Sequence, residues 1–124
     1  MDSRHPQTLY LGSQRGVFKS TDGARTWRRV RSARLGGFVA SLAIDPEEPQ
    51  TLYTGTIRVP GLFKTTNGGR RWSRIGPPGS DKVLGLTLDP TRPGTVYAGM
   101  YDGAKAFNST DRGTTWSAMA IPVP

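Results

Sequence analysis

The chain has 124 residues, the size of one ordinary domain. It has no cysteine, which excludes disulfides, thiolate metal sites and a cysteine nucleophile. Its net charge of +8 rests on 13 Arg and 4 Lys, and its 16 Gly and 10 Pro predict a turn-rich fold rather than disorder, because the apolar residues are clustered.

The opening residues Met1 to Pro6 are polar and lack the apolar core of a secretory signal. The longest apolar stretches, near Val39 to Ile44, hold about six residues, against the ~20 needed to span a bilayer. The expectation is a soluble chain with no signal peptide and no membrane span.

The first strand phrase is Pro6-Gln7-Thr8-Leu9-Tyr10-Leu11-Gly12, followed by Gly16-Val17-Phe18-Lys19. The chain then reads Ser20-Thr21-Asp22-Gly23-Ala24-Arg25-Thr26-Trp27 and enters a segment that carries Arg28 and Arg29. After a glycine-rich link near 31–37 comes Ser41-Leu42-Ala43-Ile44, closed by the proline-stiffened turn Asp45-Pro46-Glu47-Glu48-Pro49. Proline fixes φ and removes a donor, which suits a strand boundary. The phrases then return. Gln50-Thr51-Leu52-Tyr53-Thr54-Gly55 and Gly61-Leu62-Phe63-Lys64 lead to Thr65-Thr66-Asn67-Gly68-Gly69-Arg70-Arg71-Trp72. A third round runs through Gly85-Leu86-Thr87-Leu88-Asp89-Pro90, Pro93-Gly94-Thr95-Val96-Tyr97-Ala98-Gly99 and Ala104-Lys105-Ala106-Phe107. It ends in Ser109-Thr110-Asp111-Arg112-Gly113-Thr114-Thr115-Trp116.

The three tryptophans sit 45 and 44 residues apart, and the other phrases keep that register. A fixed period of this length means one supersecondary unit repeated. Each phrase is short, apolar and bounded by Gly, Pro or Asp, which is the strand pattern. A complete unit holds four strands, A to D; in the second unit these are Val39 to Ile44, Thr51 to Thr54, Leu62 to Thr65, and Arg71 to Ile75. Four antiparallel strands every ~40–45 residues predict propeller blades. The expected fold is all-β: slightly under three blades, about eleven strands, in a single segment 1–124. Blade 1 spans about 5–31 and lacks its inner strand; blade 2 spans about 38–76, and blade 3 about 82–120.

The repeated phrase resembles the Asp-box, or BNR repeat, of the form Ser/Thr-x-Asp-x-Gly-x-Thr-Trp. The third copy matches throughout. The first has Ala24 where Gly is usual, and the second has Asn67 for Asp and Arg71 for Thr. The resemblance extends over the whole chain and implies a propeller like those of sialidases, xyloglucan-degrading glycosidases, sortilin-type receptors, photosystem-assembly propellers and bacterial repeat proteins. The family is often extracytoplasmic.

The box closes the C–D hairpin. Its side chains, Ser20, Asp22, Thr26 and Trp27 in the first copy, Thr65, Asn67, Gly69 and Trp72 in the second, and Ser109, Asp111, Gly113, Thr115 and Trp116 in the third, have a structural reading. A short acceptor bonds backbone N–H groups in the turn, and glycine supplies a positive φ. Ala24 therefore predicts an altered first turn. The box Thr and Trp are expected to begin strand D, with the indoles facing the packing between sheets. A calcium loop would need alternating carboxylates and a distal Glu, so no metal and no cofactor are expected.

In an up-and-down blade the boxes share a face with the Asp-Pro turns, and the variable loops occupy the opposite face. Binding residues favour variable loops on a rigid scaffold. Arg15, Arg34, Arg58, Asp81, Tyr101 and Asp102 form a candidate ligand rim there, suited to a glycan or another polar polymer. Arg28, Arg29, Arg70, Arg71 and Arg74 protect the outer strand edge from stray pairing. The absence of interleaved aromatic and basic residues argues against nucleic acid.

A sialidase-like enzyme would hold its substrate carboxylate with three central arginines and use a Tyr–Glu pair. The expected inner strands contain no arginine, and the only glutamates are Glu47 and Glu48 in a turn. No catalytic residue is assigned. His5, the only histidine, sits at the terminus. Fewer than three blades leave an open arc, whereas propellers close with 4–8. Ring closure by homo-oligomerisation is expected, with two copies favoured over three. The rival reading is a fragment or subunit of a carbohydrate-active propeller.

Overall fold

The computed structural model describes residues 7–30, 38–56, 61–76, 83–100 and 105–120. Among these residues the chain has eleven strands and no helix, in three antiparallel sheets. Sheet 1 holds β1 (Leu9–Ser13), β2 (Gly16–Ser20) and β3 (Arg28–Val30). Sheet 2 holds β4 (Val39–Ile44), β5 (Leu52–Thr56), β6 (Gly61–Thr65) and β7 (Ser73–Gly76). Sheet 3 holds β8 (Val83–Leu88), β9 (Val96–Met100), β10 (Lys105–Ser109) and β11 (Ser117–Ala120). In each sheet the strands lie side by side in chain order. The inner strands β4 and β8 share an irregularity in register, between Val39 and Ser41 and between Val83 and Gly85.

The last strand of each sheet starts later than the sequence pattern implies. β3, β7 and β11 begin one residue after Trp27, Trp72 and Trp116. The reason is local. The N–H of the residue before each tryptophan is held by the turn's side-chain acceptor, at 2.9 Å for Thr26, 2.9 Å for Arg71 and 2.8 Å for Thr115. The ladder can only start beyond it.

Side chains alternate across a strand, so each sheet offers two faces. One face of sheet 2 contributes Val39, Leu52, Phe63 and Trp72 to a core with Val17, Tyr10 and Val30 of sheet 1. Its other face contributes Tyr53, Leu62 and Ile75 to a second core with Val83, Val96, Ala98, Phe107 and Trp116 of sheet 3. Burial on both faces leaves every residue of β5 buried. Leu52, Tyr53 and Leu62 are fully enclosed, and each such side chain stabilises the fold by about 1.5–3 kcal/mol.

The sheets meet through glycine sockets. A Cβ on Gly12 of β1 would lie 2.8 Å from Cγ1 of Val39 in the next sheet. A Cβ on Gly55 of β5 would lie 2.6 Å from the carbonyl oxygen of Val83 and 2.7 Å from its Cγ1. Gly99 of β9, at the equivalent position, faces nothing within 4 Å.

The tryptophans are not equivalent, against the expectation that all three face packed sheets. Trp72 is 3% exposed, Trp116 is half-buried and Trp27 is 41% exposed. Among the described residues no sheet covers the face of sheet 1 on which Trp27 lies.

Gly55→Ala should therefore cost about 1–3 kcal/mol, because the added methyl meets backbone that cannot rotate away. Gly99→Ala should be neutral within about 0.5 kcal/mol. Urea unfolding midpoints of the two variants check this; equal effects would contradict the socket geometry.

Candidate functional site: the repeated turns and the junction of sheets 2 and 3

Each C–D turn is built from a hydroxyl at its first position and an acceptor at its third. In the first turn Ser20 Oγ donates to Asp22 Oδ1 at 2.8 Å and accepts from the Ala24 N–H at 3.0 Å. Asp22 also accepts from Thr26 N at 2.9 Å and Thr26 Oγ1 at 2.5 Å. The third turn repeats this set: Ser109 to Asp111 at 2.7 Å, Gly113 N to Ser109 at 2.8 Å, and Thr115 Oγ1 to Asp111 at 2.6 Å. In the middle turn, Thr65 Oγ1 donates to Asn67 Oδ1 at 2.8 Å and accepts from Gly69 N at 3.1 Å. Arg71 has no hydroxyl, so its contribution is the N–H alone.

The carboxylates respond to these donors. Hydrogen bonds from Thr26, then Ser20, hold the Asp22 carboxyl down at about 2. Thr115, then Ser109, hold Asp111 at about 2. Thr91 holds Asp89 below its ordinary value by the same means. All three shifts favour the ionised form.

Two successive residues of every turn are left-handed. The pairs are Gly23 (φ 71) and Ala24 (φ 77), Gly68 (φ 71) and Gly69 (φ 95), and Arg112 (φ 60) and Gly113 (φ 91). Ala24 therefore follows the same path as its glycine counterparts, and the first turn is not altered as the sequence implied. The side-chain bonds over-determine the backbone, so the methyl is carried as strain of about 1–2 kcal/mol. The fourth-position N–H of each turn also binds the segment just before β1, β5 or β9 of its own sheet: Gly23 to the Gln7 carbonyl at 3.0 Å, Gly68 to Gln50 at 2.9 Å and Arg112 to Gly94 at 2.9 Å. These bonds place the repeated turns and the Asp-Pro turns on one side of the molecule.

Arg112 was not singled out by the sequence pattern, yet four groups converge on it. Its Nη1 lies 2.6 Å from Asp45 Oδ2 and its Nη2 lies 3.6 Å from Glu47 Oε2. Its carbonyl accepts from Lys64 Nζ at 2.7 Å and Tyr53 Oη at 3.3 Å. Asp45 is 4% exposed and also accepts from the Glu47 and Glu48 N–H groups, at 2.9 and 3.3 Å. Burial, with help from the Asp45 charge, pushes the Tyr53 hydroxyl up to about 12. Burial and then the Arg112 charge lower Lys64. Lys64 also lies over the Tyr53 ring, 5.6 Å from its centroid, as Lys19 lies over Tyr10 at 5.4 Å. The one signal of this junction in the sequence is an arginine where the other two copies have glycine.

Two hollows flank the junction. A cleft of about 20 Å³ lies between the two Asp-Pro turns and is lined by Asp45, Glu47, Tyr53 and Asp89. A more open hollow of about 180 Å³ is lined by Lys64, Thr66, Asn67, Arg71, Ser73 and Ile75. Among the described residues no group of three His, Asp or Glu could hold a metal ion. No helix among them is long and apolar enough to cross a membrane.

Of the expected rim, Arg15 lies exposed in the β1–β2 turn, where its N–H donates to Ser13 Oγ at 3.1 Å. Arg34, Arg58, Asp81, Tyr101 and Asp102 lie outside the described residues. Asp22, Asn67 and Asp111 are occupied within their turns.

Solved structures share this arrangement of sheets. An ancestral GH74 enzyme superposes with a TM-score of 0.80 over 97% of the chain, at 20% identity. The GH74 enzyme of Niastella koreensis does so at 0.74 over 95%, with 28% identity. YCF48 from Cyanidioschyzon merolae does so at 0.71 over 95%, with 19% identity. The chain spans only 17%, 21% and 37% of these three proteins. No family model and no curated protein matches. The three sheets are blades of a β-propeller, slightly under three of them.

Replacing the strained residues separates backbone from side chain. Ala24→Gly should stabilise the chain by about 0.5–1 kcal/mol in chemical denaturation. Arg112→Ala should cost about 2–3 kcal/mol, because Asp45 stays buried without its partner. Arg112→Gly should cost about 0.5–1 kcal/mol less than Arg112→Ala, because glycine relieves the left-handed strain.

Acid tests the turns. Asp22 and Asp111 are at about 2, below an ordinary 3.8. Their contribution is full above about pH 4 and is lost as pH falls toward about 2. The double variant Asp22→Asn with Asp111→Asn should flatten the fall of Tm across that window; an unchanged slope would contradict the assignment.

Proposed function

We propose that this chain is a non-catalytic propeller scaffold, built on Asp-box turns, that closes its ring by joining copies of itself. The observation that carries this reading is the contrast between the blades. The middle blade is buried on both faces, while Leu11 at 52%, Trp27 at 41% and Met119 at 39% stand exposed on the outer two. Trp72, the counterpart of Trp27 in the middle blade, is 3% exposed beneath its neighbour, so the face that carries Trp27 is one that a neighbouring blade covers. Propeller blades contact only their neighbours, so an open arc lacks two sets of contacts that a ring supplies. The chemistry of the turns supports a structural role. Their carboxylates are lowered rather than raised, the opposite of what a general acid near neutral pH requires. The neighbour YCF48 has been solved with a peptide bound, in keeping with a propeller that serves contact rather than reaction.

A second reading has its own support. The likeness to GH74 enzymes, one at 28% identity, favours a piece or subunit of a carbohydrate-active propeller. In that case Arg15, Arg34, Arg58, Asp81, Tyr101 and Asp102 line a rim for a glycan or other polar polymer.

Light scattering on the eluting chain should give twice 13.5 kDa for a closed pair. A stable folded monomer at micromolar concentration would refute ring closure. Hydrolysis of xyloglucan, or retention on it that is lost in Arg15→Ala, would turn the assignment to the second reading.

A further inference from the structure

We infer that the ring closes head to tail between two copies, with Met119 of one copy seated on Ala24 and Trp27 of the other. This rests on the reading that copies join. The internal junctions supply the register. In each, the third residue after the tryptophan of one blade covers the box of the next. A Cβ on Gly69 would lie 2.6 Å from Val30 Cγ1, and one on Gly113 would lie 2.6 Å from Ile75 Cδ1. Trp116 Nε1 donates to the Ile75 carbonyl at 3.1 Å, and Tyr53 Oη donates to the Arg112 carbonyl at 3.3 Å. One repeat further on, Val30 and Ile75 become Met119, and Gly69 and Gly113 become Ala24 of another copy.

The two departures from the repeat match each other. In blades 2 and 3, glycine is required because a branched Val or Ile side chain occupies the place of its Cβ. At the start of the chain that place holds the methyl of Ala24, whose φ of 77 keeps it in the same orientation. At the end, the covering residue is Met119, unbranched and able to bend around an obstacle. A methyl added on one side is answered by a branch removed on the other, though 95 residues separate them in the chain. Within one copy the two residues belong to sheets 1 and 3, whose described residues pack in separate cores. The partners are also more exposed than their counterparts: Ala24 is exposed where Gly69 and Gly113 are buried, Met119 is 39% exposed where Val30 and Ile75 are half-buried, and Trp27 is 41% exposed where Trp72 is 3%. Docked as at the junction of sheets 2 and 3, the Trp27 indole N–H donates to the Met119 carbonyl and Tyr97 reaches the Gly23 carbonyl as Tyr53 reaches that of Arg112, whereas at the junction of sheets 1 and 2 the Trp72 indole N–H has no partner.

The chain has no cysteine of its own, so the contact can be trapped. Ala24→Cys combined with Met119→Cys, oxidised mildly, should run as a covalent dimer without a ladder on a non-reducing gel. Intramolecular closure, or a ladder of longer species, would overturn the two-copy ring. No cross-link in a sample that light scattering shows to be dimeric would overturn this register while leaving self-association intact. A monomer in light scattering would overturn both. A further set of variants reads the match itself. Met119→Ile should raise the dimer Kd at least tenfold with unchanged circular dichroism, and adding Ala24→Gly should restore it. Equal Kd for all three proteins would overturn the complementarity.

Discussion

A four-stranded blade is a thin object with two apolar faces, and it can bury neither by itself. The fold therefore depends on blade-to-blade contact, in which one strand gives up a side chain so that the next blade can come close. Gly12 and Gly55 make that room, and Val39 and Val83 fill it. Because β5 lies between two such contacts, it carries no solvent-facing side of the usual kind. Its run Leu52-Tyr53-Thr54-Gly55-Thr56 is enclosed from both directions, while β1, with a closely similar run, keeps Leu11 in water. The same phrase has different burial because the neighbours differ, not because the strand does.

The turns serve this packing. Each orders a hairpin end with two side chains and ties it to the segment leading into β1, β5 or β9, which fixes the edge that the next blade meets. The left-handed pair in each turn brings backbone close to the preceding blade, so that Val30 and Ile75 rest where a Cβ would otherwise stand. Local backbone chemistry and long-range packing are satisfied by the same glycine. This explains why the third turn can place Arg112 at its first left-handed position but needs glycine at the position after it. The arginine reaches outward to Asp45 and Glu47, whereas Gly113 abuts Ile75.

Much of this architecture was legible in the sequence. The period of the tryptophans, the Gly-bounded apolar phrases and the Asp-Pro turns place the strands of every sheet, with β4 matching residue for residue. Periodicity reports what repeats, and here it reported the blades. It did not report where strand D begins, because that boundary is decided by hydrogen bonds to Asp22, Asn67 and Asp111 and not by apolar pattern. Nor did it separate Trp27 from Trp72, since burial depends on a neighbour that a repeat cannot reveal. The Asp45–Arg112 pair was hidden for the opposite reason: it is specific to one junction, and its partners lie 67 residues apart. The expected rim was drawn from loops, and of its six residues only Arg15 lies among the described ones.

The inequality of the three indoles has an optical consequence. Each blade carries a single tryptophan, and in a lone copy each sits in a different medium: Trp27 41% exposed, Trp116 half-enclosed with its N–H bonded to Ile75 and Gly113, and Trp72 enclosed with its N–H unbonded. Indole emission shifts to longer wavelength as the surroundings become more polar. The emission band of a lone copy is thus a sum of three colours, one per blade, with Trp72 bluest and Trp27 reddest, and pairing of copies over Trp27 would shift that colour toward the blue. Quenchers in solution would strip it first from the outer blades and last from the middle one, so that a bench fluorimeter could follow the blades one at a time.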